Sequence, residues 1–137
     1  MTETVQASTQ IDPKDAAYVA ANSAESKKAV STIILDVRTV TVIADYFVIT
    51  GGQSSTQVRA IADAIDDALE KLGFKARSIE GKQEGRWVLM DYGDVIVHIL
   101  QDAERNKYKL EQFWNHALIV DRKEWFKEDD FNPAKET

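Results

Sequence analysis

Cysteine is absent from the 137-residue chain, and with it go disulfide cross-links, thiol nucleophiles and thiolate metal sites. Only two histidines are present, His98 and His116. No apolar stretch approaches the roughly 18–20 residues needed to cross a bilayer, so no membrane contact is expected. The opening MTETVQASTQ has neither a basic leader with an apolar core nor an Arg-rich transit character, and a cytoplasmic location is the simplest expectation. Positive charge is in deficit as well: 17 Lys and Arg face 23 Asp and Glu, a net charge of −6. A field of that sign repels phosphate backbones and argues against a chain whose main task is to grip nucleic acid. A basic protein remains a suitable partner. What is present, 44% apolar and 29% charged residues, describes one ordinary globular domain with a single core.

Residues 1–11 lack periodicity and read as a disordered tail. Asp12-Pro13 has the form of a helix start, a capping carboxylate ahead of proline at the first helical position. An Ala-rich helix is predicted from there to about Ala29, with Ala17, Ala20, Ala21 and Ala24 on one close-packing face. Thr32–Val37 and Tyr46–Thr50 are almost continuous apolar runs rich in branched residues, the mark of central strands. After Gly51-Gly52, Ser54 or Ser55 can cap a helix carrying Val58, Ile61, Ala62, Ile65, Leu69 and Leu72 at helical spacing, stopped by Gly73. A strand over Lys75–Ile79 and a polar loop, Glu80–Gly85, precede two strands, Trp87–Asp91 and Asp94–Leu100, turned through Tyr92-Gly93. A helix from about Ala103 to Trp114 and a charged extension over 115–137, with a short turn at Trp125-Phe126, complete the chain. The order α-β-β-α-β-β-β-α implies a single mixed α/β sheet of about five strands, its helices mainly on one face, within a domain spanning residues 12–114.

The hairpin has two unlike faces. With a two-residue turn, Asp91 pairs with Asp94, Leu89 with Ile96 and Trp87 with His98, and side chains alternate along each strand. One face is wholly apolar (Val88, Met90, Val95, Val97, Ile99) and belongs to the core. The other carries Trp87, Leu89, Asp91, Asp94, Ile96, His98 and Leu100. An aromatic beside aliphatics with acids at the rim has the make-up of an interface centre. Equally, Trp87 could lie under the C-terminal helix or tail, and at this point both readings stand.

The chemistry of catalysis is poorly served. Strand–Gly51-Gly52–helix resembles the opening of a nucleotidyltransferase, but those enzymes need two closely spaced strand carboxylates to hold two divalent metals. Asp91 and Asp94 flank a turn instead, where acids more often serve the turn itself. Gly51-Gly52 has neither a third glycine at dinucleotide spacing nor a following Lys-Ser/Thr pair. His98 alternates with aliphatics as a structural histidine would, and His116 lies in a polar stretch. Ser54 and Ser55 are accounted for by helix capping. No metal and no cofactor are expected. A nucleotide-handling enzyme and an adaptor for some other assembly remain the alternatives.

Several segments together resemble the ribosomal silencing factor (Iojap-type) family: Ala44-Asp45-Tyr46-Phe47-Val48-Ile49, Ser55–Ile65 (STQVRAIADAI), Ile79-Glu80-Gly81, and above all Glu84–Ile99 (EGRWVLMDYGDVIVHI). Arg105, Tyr108, Leu110-Glu111 and Trp114 extend the match over residues 13–114. The resemblance implies a nucleotidyltransferase-like α/β fold without the catalytic carboxylates. It also implies binding to the large ribosomal subunit through ribosomal protein number fourteen, blocking small-subunit joining and lowering translation under nutrient shortage. Ribosomal RNA would be touched at most peripherally, and pairing with a second copy of the chain is left open. On this reading Trp87 is the anchor, Leu89 and Ile96 surround it, Asp91 and Asp94 meet basic side chains, and His98 makes a polar contact. Glu84 and Arg86, in the preceding loop, are the outer members of the set.

Overall fold

The computed structural model describes residues 12–113 and 116–127; the tail expected over residues 1–11, and Trp114, lie outside that range. Helix α1 (Pro13–Ser26) begins as its sequence implies, with the Asp12 side chain accepting from the Lys14 amide and proline at the first position. Ala16, Ala17, Ala20, Ala21 and Ala24 are fully buried, so the helix backbone lies close against its neighbours. It ends three residues before Ala29, the chain turning through Lys28 at φ 62°. Ala29 nevertheless joins the core.

Strand β1 (Val30–Asp36) lies antiparallel to β2 (Tyr46–Gly52). Helix α2 (Ser55–Lys71) is capped by the Ser54 hydroxyl accepting from the Gln57 amide, and buries Val58, Ile61, Ala62, Ile65 and Leu69. Its junction with β2 is tight: a Cβ on Gly52 would stand 3.1 Å from Val58 Cγ2, so that side chain would have to give way. Strand β3 (Ser78–Glu80), shorter and later than the expected Lys75–Ile79, pairs with β4 (Trp87–Asp91), which pairs in turn with β5 (Val95–Gln101). Strands β2 and β5 run parallel, Phe47 opposite Ile96 and Ile49 opposite His98. Every residue of β2 is buried, as expected of a strand with neighbours on both edges and cover on both faces.

The single helix expected over 103–114 is divided. Helix α3 (Asp102–Tyr108) stops at Lys109, whose φ of 39° and ψ of 61° are left-handed, and a one-turn α4 (Leu110–Phe113) follows. A sixth strand, β6 (Leu118–Ile119), not foreseen from the sequence, pairs with β1 and gives the sheet order β3-β4-β5-β2-β1-β6. The fold is therefore a mixed α/β sheet of six strands rather than about five. After β6, α5 (Arg122–Trp125) drives Trp125 into the core beneath α1, leaving it 1% exposed.

The sheet has two apolar sides. The larger core holds Ile34, Tyr46, Val48, Val88, Met90, Val95, Val97 and Ile99 under α1 and α2. On the opposite side a smaller cluster joins Leu35, Val37, Ala44, Phe47, Ile49 and Leu100, flanked by part-buried Ile33, Trp87, Ile96, Leu110 and Ala117. The helical cover of that second side is short, and the candidate site lies there.

Candidate functional site

The β4–β5 turn sets the site. Asp91 faces Ile96, Leu89 faces His98 and Trp87 faces Leu100, so the pairing is displaced by two residues from a two-residue Tyr92-Gly93 turn. The physical reason lies in the turn's own chemistry. The Tyr92 amide donates to the Val95 carbonyl at 2.9 Å, and Gly93 takes φ 90°. The Asp91 carboxylate accepts from the Gly93 amide at 2.8 Å, while the buried Tyr92 phenol donates to Asp66 on α2 at 2.7 Å. Burial and that neighbouring carboxylate hold the Tyr92 hydroxyl far above the ordinary phenol range. Tyr92 is a core residue as much as a turn residue.

A displacement of two residues preserves the faces, because side chains alternate with period two. Val88, Met90, Val95, Val97 and Ile99 point under the helices, while Trp87, Leu89, Ile96 and His98 line the other side. Asp94 does not share that ladder. It sits in the turn with its side chain exposed, and its carbonyl accepts from the Asp45 and Tyr46 amides at 2.8 and 3.1 Å. Asp91 stands at the end of β4, with one carboxylate oxygen already engaged by the turn.

Trp87 is part-buried and less open than a bare anchor would be. The Tyr108 ring of α3 packs on it at 5.0 Å between centroids. Its indole Nε1 donates to His98 Nδ1 at 3.2 Å. Indole nitrogen is a donor only, so His98 Nδ1 must be the acceptor and carry no proton. Burial acts in the same direction and pushes the His98 pKa down to about 4. The imidazole is thus neutral at physiological pH, edge-on to Phe47 at 5.8 Å.

Two depressions meet at this Trp87–His98 pair. One is an open groove of about 280 Å³ lined by Ile43, Phe47, Ile49, Leu89, Asp91, Ile96, His98 and Leu110. The other, about 310 Å³, is bounded by Gly81, Glu84, Arg86, Trp87, Glu104 and Tyr108, which brings the two outer residues of the expected set beside the anchor. The loop leading to Trp87 is held by the Gly85 amide on the Gly81 carbonyl at 3.0 Å, by Arg59 of α2 on the Gln83 carbonyl at 3.0 Å, and by a Lys82–Asp63 ion pair. Beside the groove, residues 37–45 expose Val42 fully and Ile43 to 60%.

All eight residues singled out in the sequence therefore fall at or around one region, but Asp94 is peripheral to it. The sequence reading missed Ile43, Phe47, Ile49, Leu110 and Tyr108. A signal existed for the first of these, since Val40, Val42 and Ile43 are apolar in a stretch with no strand partner. Phe47 and Ile49 gave none, because a strand buried on both faces reads the same in either orientation. Among the described residues no group of three or more His, Asp or Glu side chains could hold a metal ion, and no helix is long and apolar enough to cross a membrane.

The chain is similar to known proteins over most of its length. It is 39% identical over 111 residues to the ribosomal silencing factor RsfS of Bacillus subtilis, covering 81% of this chain and 94% of that one. A crystal structure of protein CV0518 from Chromobacterium violaceum superposes with a TM-score of 0.75 at 30% identity, over 77% of this chain and 88% of that one. A more distant relative, the mouse protein called mitochondrial assembly of ribosomal large subunit protein 1, is 33% identical over 83 residues, 57% of this chain and 36% of its own length. The model of the family described as ribosomal silencing factor during starvation matches residues 10–137, and the chain belongs to that family.

Proposed function

We propose that this chain silences translation by steric occupation: the side of the sheet bearing Trp87 and the groove docks onto ribosomal protein number fourteen of the large subunit and keeps the small subunit from joining. The observation that carries this reading is the apolar groove with Val42 and Ile43 exposed beside it, on a chain of net charge −6. Apolar surface of that kind marks a contact with another protein. A negative field favours a basic partner and disfavours a bare phosphate backbone, so ribosomal RNA is touched only at the periphery. The name of the mouse relative, which concerns the large subunit, supports the choice of subunit. Trp87, Leu89, Ile96 and His98 form the contact centre, Glu84 and Arg86 extend it past Trp87, and Asp91 and Asp94 form the acidic rim. Acids at a rim speed encounter more than they deepen affinity.

No bond is made or broken in this mechanism, so the chain is a binding factor and not an enzyme, acting in the cytoplasm where free subunits meet. An interface of about 800 Å² per partner would suffice for specific binding. The test is a sucrose gradient with the protein added before the subunits are mixed. The fraction of whole ribosomes should fall and the protein should sediment with free large subunits; sedimentation with small subunits would refute the mechanism. A homodimer is the other contact open to so apolar a surface, and sedimentation equilibrium of the isolated chain measures it directly.

A further inference from the structure

We propose that His98 is a specificity-determining hydrogen-bond donor in the groove: its Nε2–H receives a main-chain carbonyl of the partner protein while an aliphatic side chain of the same segment seats against Phe47 and Ile96. This rests on the reading that the groove docks a protein, and goes further by stating the chemistry of the segment that enters.

The argument starts from Trp87. Its indole N–H points at His98 Nδ1 at 3.2 Å, and an indole can only donate. Nδ1 is therefore unprotonated, and a neutral imidazole with a bare Nδ1 holds its one hydrogen on Nε2. The Trp87 contact thus selects the tautomer. His98 lines the groove, its only hydrogen bond among the described residues is the one to Trp87, and Nε2 is not a sealed, unpaired nitrogen. The remaining donor therefore belongs to a ring on the lining of a mostly apolar opening, with Asp91 its one charged member.

The surroundings choose the acceptor. Asp91 lies on the same lining, so an anionic acceptor would meet a carboxylate and a neutral ring, with no cation to offset the repulsion. A neutral amide carbonyl meets neither penalty. The cavity, about 280 Å³, falls just below the roughly 300–1,000 Å³ of small-molecule sites, which suits one or two side chains of a protein segment. A carbonyl entering apolar surroundings must keep a donor or lose its hydration without return. His98 supplies that donor and so favours a segment presenting its backbone at this point.

Two substitutions separate the two nitrogens. In His98→Asn the amide oxygen can take the place of Nδ1 and keep the Trp87 bond, but nothing reaches the position of Nε2. In His98→Gln the terminal amide nitrogen can occupy the Nε2 position, at the expense of the Trp87 bond. Binding to purified large subunits and thermal melts are measured on both full-length variants. Asn should melt near wild type yet bind at least ~5-fold more weakly; Gln should melt lower yet bind within about 2-fold of wild type. A purely structural histidine would make binding follow the melts, and that ordering overturns the inference. So does a proton on Nδ1 in nitrogen-15 spectra of the free chain, which needs no ribosome. If wild type itself fails to bind large subunits, the docking reading falls and this inference with it; if wild type binds and Asn binds equally, only the inference falls.

Discussion

Replacing Trp125 by alanine is expected to cost ~3–5 kcal/mol, the usual scale for deleting a fully buried large aromatic. The magnitude follows from where the residue lies. Trp125 is 1% exposed among the alanines of α1. Its carbonyl accepts from the buried Asn22 amide at 2.6 Å, and the Asn22 side-chain oxygen accepts from the Lys127 amide at 2.9 Å. Arg122 covers the indole ring at 5.0 Å and reaches Glu25 at 2.8 Å. The alanines opposite are too small to refill the space, so most of the cavity would persist. A domain of this size has ~5–15 kcal/mol in total, and each kcal/mol corresponds to roughly 3–5 °C in melting temperature, so the variant should melt about 10–20 °C lower. Urea unfolding should give a lower midpoint at an unchanged slope. Large-subunit binding at low temperature should be retained, because Trp125 packs on the side away from the groove. A loss under ~1 kcal/mol would refute the claim that this segment is part of the core.

Trp87→Ala should lower stability by ~1–2 kcal/mol, since it uncovers Tyr108 and strands His98 Nδ1. The same variant should weaken large-subunit binding by ~2 kcal/mol or more, and unimpaired binding would remove Trp87 from the interface. Asp94→Lys should melt near wild type, its side chain being exposed, while slowing association by an amount that shrinks as salt rises. Stability should be insensitive to His98 above pH 6.5, where the ring is neutral folded and unfolded alike. As pH falls from 6.5 towards about 4 the unfolded chain takes the proton first, so this group costs the fold up to ~3 kcal/mol at ~1.4 kcal/mol per pH unit. Melts of wild type and His98→Asn, close at neutral pH, should therefore separate across that window, wild type falling below the variant as the pH drops.

Local signals carried most of the fold. Asp12-Pro13 and Ser54 cap the helices they announce because capping is decided within four residues of chain. Helix α2 was legible because its stripe of Val58, Ile61, Ala62, Ile65 and Leu69 needs no knowledge of what lies beneath it. The breakdowns have non-local causes. Nothing in Leu118-Ile119 marks it as a strand except β1 waiting to be paired, and both side chains remain more than 60% exposed. Lys109 is an ordinary helix former, yet it takes a left-handed conformation, and Leu110 beyond it reaches the second apolar cluster. Trp125 in a charged stretch was readable as a turn but not as a core residue, since the pocket it fills is made by α1, about a hundred positions earlier.

The site shows which part of strand geometry a sequence encodes firmly. Whether Trp87 and Val88 share a face depends on the alternation of the pleat, a property of each strand alone, and that assignment holds. Which residue stands opposite Trp87 depends on where the turn falls. Tyr92, whose ring and hydroxyl are taken by the core and by Asp66, bonds across to Val95, so the two-residue turn moves one position on, to Gly93-Asp94. Because the displacement was even, the interface face kept its members; an odd one would have set Trp87 beside Val97 and Ile99, and His98 beside Val88 and Met90. The cost fell on Asp94 alone, moved from the ladder into the turn. Phe47 and Ile49 come from β2, and only the parallel pairing with β5 sets them beside Ile96 and His98. A groove assembled across a parallel pair is built by the crossover through α2, and a crossover leaves no mark in the pattern of either strand. The contact centre was therefore readable strand by strand, and the groove that gives His98 something to read was not.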